Sequence, residues 1–337
     1  MKKTKYYSIV LLFVTAIILY FILKDDYNDI VNNLIIANKW LIVLCCILVF
    51  LYWLLRALSL YRIVKQYNKK VKLKTMLHQI LITQFFNGIT PFSTGGQPMQ
   101  IYMLNKSGVK AGSATNIIVQ DFIMYQVALV VIGIVALILN GVFHISSVSP
   151  ILSSLIILGF IINILVGLGL LFISFSKKFS SFCVKILLKI GVKLKIIKNV
   201  EKTTEKWNEK LVEYQESANL FKKNKWLFFE CISYNLISLF IFYLIPFFIF
   251  LSLDVKINAI EVLVSSAFIL LIGNFVPIPG GSGGIEYGFL EFFKDLMSAS
   301  VLKSSLIIWR FITYYLGIIV GGIALAFFKG DEKKKCE

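Results

Sequence analysis

Long, continuously apolar runs separated by short polar segments make up most of the chain. The runs lack the period-two alternation of barrel strands, so a β-barrel is not predicted. Because lipid offers backbone groups no partner, helices are the expected spanning structure. Six runs have the length that crosses a hydrocarbon core about 30 Å thick; they are residues 6–23, 40–61, 112–139, 151–175, 226–253 and 301–328. The pattern predicts an all-α polytopic integral membrane protein, with a single transmembrane domain over residues 1–337.

Two shorter apolar stretches, residues 75–90 and 263–276, run directly into loops rich in proline and glycine. Non-helical backbone at membrane depth is tolerated only where protein or water covers it, so both stretches are predicted to be re-entrant or broken helices. The structural residues of the two loops are Pro91, Gly95, Gly96, Pro98, Pro277, Pro279, Gly280, Gly281, Gly283 and Gly284.

Positive charge lies mainly between the apolar runs and decides the predicted orientation. The chain has 35 Lys and Arg against 18 Asp and Glu, a formal net charge of +17. An acid-free basic stretch, residues 62–74, and the lysine-rich linker 176–225 fall on the same side. By the positive-inside rule that side is cytoplasmic, and both termini lie there. A multi-pass protein of the cell membrane is therefore predicted, and nucleic acid is not an expected partner.

This orientation makes residues 40–139 and 226–328 two halves of opposite topology. Asn87 and Pro91 in the first loop are matched by Asn274 and Pro277 in the second, and a glycine pair follows each. Matching broken segments in inverted halves are typical of transporters, in which the substrate site lies near the midplane between the repeats. The sequence therefore predicts an inverted repeat around a central site.

The linker 176–225 has an amphipathic helical pattern. Lysines alternate with apolar residues over 177–198, and glutamates then recur at every fourth position from Glu201 to Glu213. Such a helix could rest on anionic lipid headgroups, or it could be a solvated connection that obeys the positive-inside rule. The sequence leaves both interpretations open.

Four charged residues stand out inside the predicted spans, where charge is costly and indicates either function or pairing. Arg56 and Glu230 lie near the predicted cytoplasmic ends, where reaching back to water explains them. Asp121 and Arg310 lie about nine residues into their spans, which places both near the midplane. They could line a polar path, with Arg310 attracting a lipid phosphate and Asp121 pairing with it or meeting a cationic headgroup. Alternatively, they could form a fixed ion pair that joins the two halves.

The glycine-rich loops also expose backbone N–H groups, and a helix that starts after such a loop favours an anion at its N-terminus. In the second half that helix is expected near Gly284, with Glu286 in its first turn. The neutral polar residues that could bind a headgroup nearby are Asn87, Thr90, Gln97, Gln100 and Asn274. Nucleotide-loop motifs are absent. Since the two His and five Cys lack metal-type spacing, no metal site or cofactor is predicted.

On the two loops, residues 89–100 and 276–286, the chain resembles the flippase-like transmembrane family named after the membrane region of lysylphosphatidylglycerol synthase. The resemblance extends over almost the whole chain. It implies translocation of an anionic or aminoacylated phospholipid, such as lysyl-modified phosphatidylglycerol, and resistance to cationic peptides. Family members that aminoacylate lipid carry an additional soluble domain. Residues 329–337 are too few to form one, so enzymatic activity is not expected of this chain.

The leading hypothesis is a lipid flippase that exposes a midplane site alternately to the two leaflets, passively or with ion coupling. A second hypothesis is a lipid aminoacyltransferase that works with a separate soluble partner. A third is an accessory or scaffold protein whose basic linker docks an enzyme. Formation of a homo-oligomer is also left open.

Overall fold

The computed structural model describes residues 27–143, 150–193, 200–222, 224–273, 276 and 278–328, and this part contains helices and turns but no strand. The predicted first span, residues 6–23, lies outside the described residues. In chain order the described helices are α1 (Tyr27–Ile36), α2 (Lys39–Val64), α3 (Leu73–Ile89), α4 (Gly96–Lys106), α5 (Ala111–Phe143), α6 (Pro150–Phe175), α7 (Lys177–Lys193), α8 (Val200–Lys222), α9 (Lys225–Ser252), α10 (Ala259–Gly273), α11 (Gly284–Phe293), α12 (Ala299–Arg310) and α13 (Leu316–Ala326).

Five helical segments in the described part are long and apolar enough to cross a membrane. They are α2, α5, α6 up to Ser174, α9, and the continuous segment Ala299–Ala326. In the last of these a π-helical turn, Phe311–Tyr315, joins α12 to α13. These segments coincide with five of the six predicted runs, because an apolar run of this length has no stable place except in lipid or a large core. The prediction of an all-α polytopic membrane protein is confirmed.

The helices occur in two equivalent series. The first is α2, α3, α4 and α5, and the second is α9, α10, α11 and the α12–α13 segment. The starting residues keep a nearly constant separation along the chain: Lys39 and Lys225, Leu73 and Ala259, Gly96 and Gly284, Ala111 and Ala299. Contacts between the series are reciprocal, since α3 packs on α13 while α10 packs on α5.

The equivalent helices α2 and α9 run antiparallel. The backbone N of Asn38 donates to the carbonyl of Ser252 at 2.8 Å at one end, and Arg62 pairs with Glu230 at 2.7 Å at the other. Residue numbers therefore rise along one helix and fall along its partner. Equivalent elements with opposite directions are what an inverted repeat requires.

The two predicted loops share one backbone conformation. Each contains a short 3-10 turn, Pro91–Ser93 in the first and Pro279–Gly281 in the second. Each proline follows an extended residue, and the next two residues lie in the left-handed region. The φ values are 54° at Phe92, 52° at Ser93, 67° at Gly280 and 64° at Gly281. Glycine adopts these angles without strain, whereas Phe and Ser do not.

This shared backbone corrects the sequence alignment of the two loops. Pro91 is equivalent to Pro279 and not to Pro277. Pro277 and Asn274 themselves lie outside the described residues. The two 3-10 turns contact each other, which brings the repeats together at their broken segments.

The described parts of the linker between the halves, Lys177–Lys193 and Val200–Lys222, are helical, as the sequence pattern predicts. Its second helix, α8, packs against the start of α5, where Gly112 N donates to the Glu213 carboxylate at 2.9 Å. The Tyr67 hydroxyl donates to the carbonyl of Ser217 at 2.8 Å. Burial raises the pKa of Tyr67 to about 12, so the phenol keeps the proton that it donates even at pH values where an exposed tyrosine ionises. These bonds fix α8 to the ends of α2 and α5.

Candidate functional site

Two adjoining cavities lie beside the broken segments. The larger has a volume of about 620 Å³ and is enclosed by α2, α3, the first loop, α4, α5 and α6. The smaller, about 190 Å³, lies between the two loops and therefore between the two halves. Four residues line both cavities: Gln84, Asn87, Phe92 and Ser93. The polar side chains of the larger cavity are Arg56, Thr83, Gln84, Asn87, Ser93, Thr94, Gln97, Gln100, Asp121, Gln126 and Asn163.

Arg56 and Asp121 form the charged end of the larger cavity. Arg56 Nη2 lies 3.2 Å from Asp121 Oδ2, and the two side chains are only 14% and 4% exposed. Asp121 Oδ1 accepts a hydrogen bond from Ser59 Oγ at 2.9 Å. Asn235, on α9 of the other half, accepts from Arg56 and donates to Ser59 Oγ at 3.1 Å. Because both charges are paired and bonded, the cost of burying them is largely offset.

An aromatic wall completes this part of the site. The Arg56 guanidinium lies 4.5 Å from the centre of the Tyr125 ring. Cation–π contacts of this kind hold an arginine in place while leaving its carboxylate pairing intact. Tyr52 and Phe122 also line the larger cavity.

Arg310 and Glu286 form a second buried pair, beside the smaller cavity. Arg310 Nε lies 2.8 Å from Glu286 Oε1, with side-chain exposures of 8% and 10%. Glu286 Oε2 accepts from the Gly283 N–H at 2.6 Å, which caps α11. Arg310 Nη2 also donates to the carbonyl of Gly280 and to Ser282 Oγ, both at 3.2 Å. The N-terminus of α11, where a lipid phosphate was expected, therefore already has the carboxylate of Glu286.

Tyr314 connects this second pair to the first loop. The Arg310 guanidinium lies 4.4 Å from the centre of the Tyr314 ring. The Tyr314 hydroxyl donates to the carbonyl of Gly88 at 2.8 Å. A Cβ at Gly280 would lie 2.1 Å from the same ring, so glycine is required there for space as well as for its positive φ.

The predicted pairing of the charged residues is wrong in two respects. Asp121 does not pair with Arg310, because Arg56 holds the first and Glu286 the second. Arg56 does not reach back to water, because it is buried with Asp121. Glu230, in contrast, pairs with the partly exposed Arg62, and it lines neither cavity.

Some of the neutral loop residues line the larger cavity, and others hold the loop backbone in place. Asn87, Gln97 and Gln100 line the larger cavity. Their contact with a lipid headgroup stays a prediction. Thr90 lines neither cavity. Its hydroxyl donates to the carbonyl of Phe86 at 2.7 Å and accepts from Gly95 N at 2.8 Å, so it fixes the end of α3.

The first-loop glycines and proline serve local geometry. Asn87 Oδ1 accepts from Gly96 N at 2.9 Å. A Cβ at Gly96 would lie 2.3 Å from side-chain atoms of Asn87 and Thr83, which shows how closely α4 approaches α3. Pro98 lies in the first turn of α4, where helices tolerate a missing N–H.

Several site residues escaped the sequence reasoning. In the cavity wall, Gln126 Nε2 on α5 donates to Asn163 Oδ1 on α6 at 3.5 Å. Ser59 and Asn235 complete the Asp121 network. The sequence signal that could have identified Gln126, Asn163 and Asn235 is an amide side chain inside a strongly apolar span, because such side chains usually face another helix or a cavity. Within the described residues, no group of three or more His, Cys, Asp or Glu could hold a metal ion.

Residues 8–321 match the family described as the lysylphosphatidylglycerol synthase TM region. The chain belongs to this family. It is 22% identical over 327 residues to a UPF0104 membrane protein of Archaeoglobus fulgidus, with 93% of each chain covered. It is also 26% identical over 266 residues to the uncharacterized protein MG306 homolog of Mycoplasma pneumoniae, covering 71% of this chain and 65% of that one. The corresponding MG306 protein of Mycoplasma genitalium is 25% identical over 269 residues, covering 72% and 66%.

Family membership confirms the resemblance stated from the two loops. Together with the five spanning segments, it identifies a multi-pass membrane protein. The family description is consistent with a function related to membrane lipid.

Proposed function

We propose that this family member moves a polar-headed lipid between the two leaflets of the membrane. The observation that carries the proposal is the polar cavity of about 620 Å³ inside the membrane-spanning bundle. Polar and charged groups are expensive at that depth, and they are usually retained where they line a path for a polar group. The smaller cavity between the two halves adjoins it and extends the polar region to the second loop.

The proposed movement is an alternating exposure of these cavities, produced by motion of one half against the other. Inverted repeats with broken helices support such rocking motions in transporters. No nucleotide-binding motif occurs, so the movement would be passive or ion-coupled. The protein would act in the cell membrane with both termini in the cytoplasm.

The family description makes anionic or lysyl-modified phosphatidylglycerol the first candidate lipid. A separate lipid-modifying enzyme and a second copy of the chain are candidate partners. The polar wall of the cavity supports a lipid with a sizeable headgroup, because a site of 300–1,000 Å³ fits a ligand the size of a headgroup and not a whole lipid. The acyl chains would remain in the bilayer.

The experiment is leaflet-resolved transport of labelled lipids in proteoliposomes. Wild type is compared with Asp121→Asn, which leaves Arg56 unpaired at the cavity. The matched control is Glu230→Gln, which removes a carboxylate from the exposed pair with Arg62, outside both cavities. Transport by Asp121→Asn should fall about tenfold or more, because an unpaired buried charge costs several kcal/mol. Transport by the control should match wild type.

Equal transport by both variants would place the path elsewhere in the molecule. If wild type moved no labelled lipid faster than empty liposomes do, the proposed function would be wrong. Both variants are first compared with wild type by size-exclusion elution and helical content, so that misfolding is recognised.

A further inference from the structure

The charges of the larger cavity cancel. Among the described residues that line it, the charged side chains are Arg56 and Asp121, and they lie 3.2 Å apart. A phosphate that entered would find its one cation already paired with a carboxylate, and it would be repelled by that carboxylate. Anion sites in proteins instead offer unpaired Arg or Lys, or free N–H groups. The lining is therefore poorly suited to an anionic headgroup.

Neutral groups that both donate and accept hydrogen bonds make up the rest of the polar wall. Six of its side chains are amides, three are the aliphatic hydroxyls of Thr83, Ser93 and Thr94, and two are the phenols of Tyr52 and Tyr125. A free amide offers an acceptor oxygen and two N–H donors, which is the complement that a set of ligand hydroxyls requires. Four of the six use part of that capacity within the protein, namely Gln84, Asn87, Gln126 and Asn163. This composition is typical of a site for an uncharged molecule with many hydroxyl groups.

The side chains of Gln97 and Gln100 lie in this wall and make no hydrogen bond to another described residue. Both lie on α4, three residues apart, and so share one helix face. The Gln97 Oε1 atom is buried and has no hydrogen-bond partner in the described structure. A buried acceptor without a partner is rare in native proteins and indicates a missing ligand or water.

Aromatic rings supply the remaining contact surface. Phe92 is held at φ 54°, an unfavourable angle for this residue, and its ring lines the cavity. Phe122 and Tyr125, one turn apart on α5, present nearly parallel rings with centres 6.5 Å apart. The C–H faces of sugar rings and polyols carry partial positive charge and pack well on the negative faces of aromatic rings.

We propose that the larger cavity binds an uncharged, hydroxyl-rich lipid headgroup, such as the sugar of a glycosyl-diacylglycerol. This inference rests on the proposed function for its physiological meaning, because it names the class of lipid to be moved. It differs from the family-derived expectation of an anionic or lysyl-modified phosphatidylglycerol.

Binding is tested first, because it can be measured without transport. The full chain in nanodiscs is titrated with short-chain hexosyl-diacylglycerol, and separately with phosphatidylglycerol and its lysyl derivative of the same chain length. The hexosyl lipid should bind about tenfold tighter than either, since a site built to hydrogen-bond hydroxyls discriminates strongly. Tighter binding of phosphatidylglycerol or its lysyl derivative would overturn the inference.

Two variants locate the site. Gln97→Leu and Gln100→Leu keep side-chain size but remove the amides, and the matched control is Gln66→Leu on the exposed loop after α2. Both cavity variants should weaken hexosyl-lipid binding about tenfold while leaving phosphatidylglycerol binding unchanged, because only hydroxyl recognition is lost. Unchanged hexosyl-lipid binding in both variants, or equal weakening for every lipid, would contradict the assignment.

Transport of the same labelled lipids separates this inference from the proposed function. If the hexosyl lipid binds as expected but no lipid moves, the site stands and the transport proposal fails. If phosphatidylglycerol binds better and also moves faster, transport stands and the headgroup assignment fails.

Discussion

Replacing Glu286 by Gln should destabilise the protein strongly, although it exchanges a single heavy atom, a carboxylate oxygen for an amide nitrogen. The carboxylate lies 2.8 Å from Arg310 Nε, and both side chains are about one-tenth exposed. In the variant, the remaining bonds of Arg310 go to neutral oxygens of Gly280 and Ser282. Breaking a buried pair from one side costs about 3–5 kcal/mol, because the other charge stays buried without compensation.

Little of this loss should come from the helix cap. Glu286 Oε2 accepts from Gly283 N, and the amide oxygen of Gln can accept the same bond. The matched control is Glu291→Gln, which breaks the pair with Lys294 on the same helix's exposed side. Since water solvates that lysine in both forms, the control should have no measurable effect.

The assay is unfolding in mixed micelles at increasing mole fractions of dodecyl sulfate. Unfolding is followed by the labelling of the buried thiols of Cys45 and Cys231 with a thiol-reactive dye. The double variant Glu286→Gln with Arg310→Gln should be more stable than Glu286→Gln alone, because it removes the unpaired charge. A double variant that loses the sum of the two single effects would refute the ion-pair reasoning, as would equal losses for Glu286→Gln and Glu291→Gln.

Three further predictions follow from the loops and the linker. Gly280→Ala should cost about 2 kcal/mol or more, because the new Cβ combines a positive φ with a clash against the Tyr314 ring; Gly169→Ala, in open space on α6, should be neutral or slightly stabilising in the same titration. Ser93→Gly should stabilise the protein by about 0.5–1 kcal/mol, since glycine relieves the left-handed strain at φ 52°; a loss of stability would show that the serine side chain holds the loop. Tyr67→Phe should weaken the attachment of α8 by about 1 kcal/mol, seen as roughly fivefold faster amide exchange over that helix with unchanged exchange in α9.

Five of the six expected spans and the two broken segments could be predicted from the sequence because their signals are local. The length of an apolar run can be compared directly with the thickness of the bilayer, and a segment rich in Pro and Gly cannot continue a helix whatever surrounds it. The equivalence of the loops was harder to predict. Pro277 and Pro279 are two residues apart, and either could be aligned with Pro91. Only the left-handed pair that follows Pro279 resolves the choice.

The partners of the charged residues could not be predicted, because they depend on helix rotation. Counting residues along a span gives the depth of Asp121 and Arg310 in the membrane. Equal depth alone is the reason to expect an ion pair between them. Which helix each side chain faces is set by packing across elements distant in sequence. The expectation that Arg56 reaches the membrane surface fails for the same reason, since a position near the end of a span does not give the direction of its side chain.

The observed pairing matters for motion between the halves. Both buried ion pairs lie within a half, Arg56 with Asp121 in the first and Glu286 with Arg310 in the second. The contacts that cross between the halves beside these pairs go to uncharged groups: Arg56 donates to the amide oxygen of Asn235, and Tyr314 donates to the carbonyl of Gly88. A neutral hydrogen bond contributes about 1 kcal/mol net and one from a charged group about 1.5–3 kcal/mol, whereas breaking a buried ion pair from one side costs about 3–5 kcal/mol. The ion pair that does join the halves, Arg62 with Glu230, is partly exposed, and a pair of that kind contributes about 1 kcal/mol or less. Because the two buried pairs are balanced inside each half, the interface can shift without leaving a buried charge unpaired.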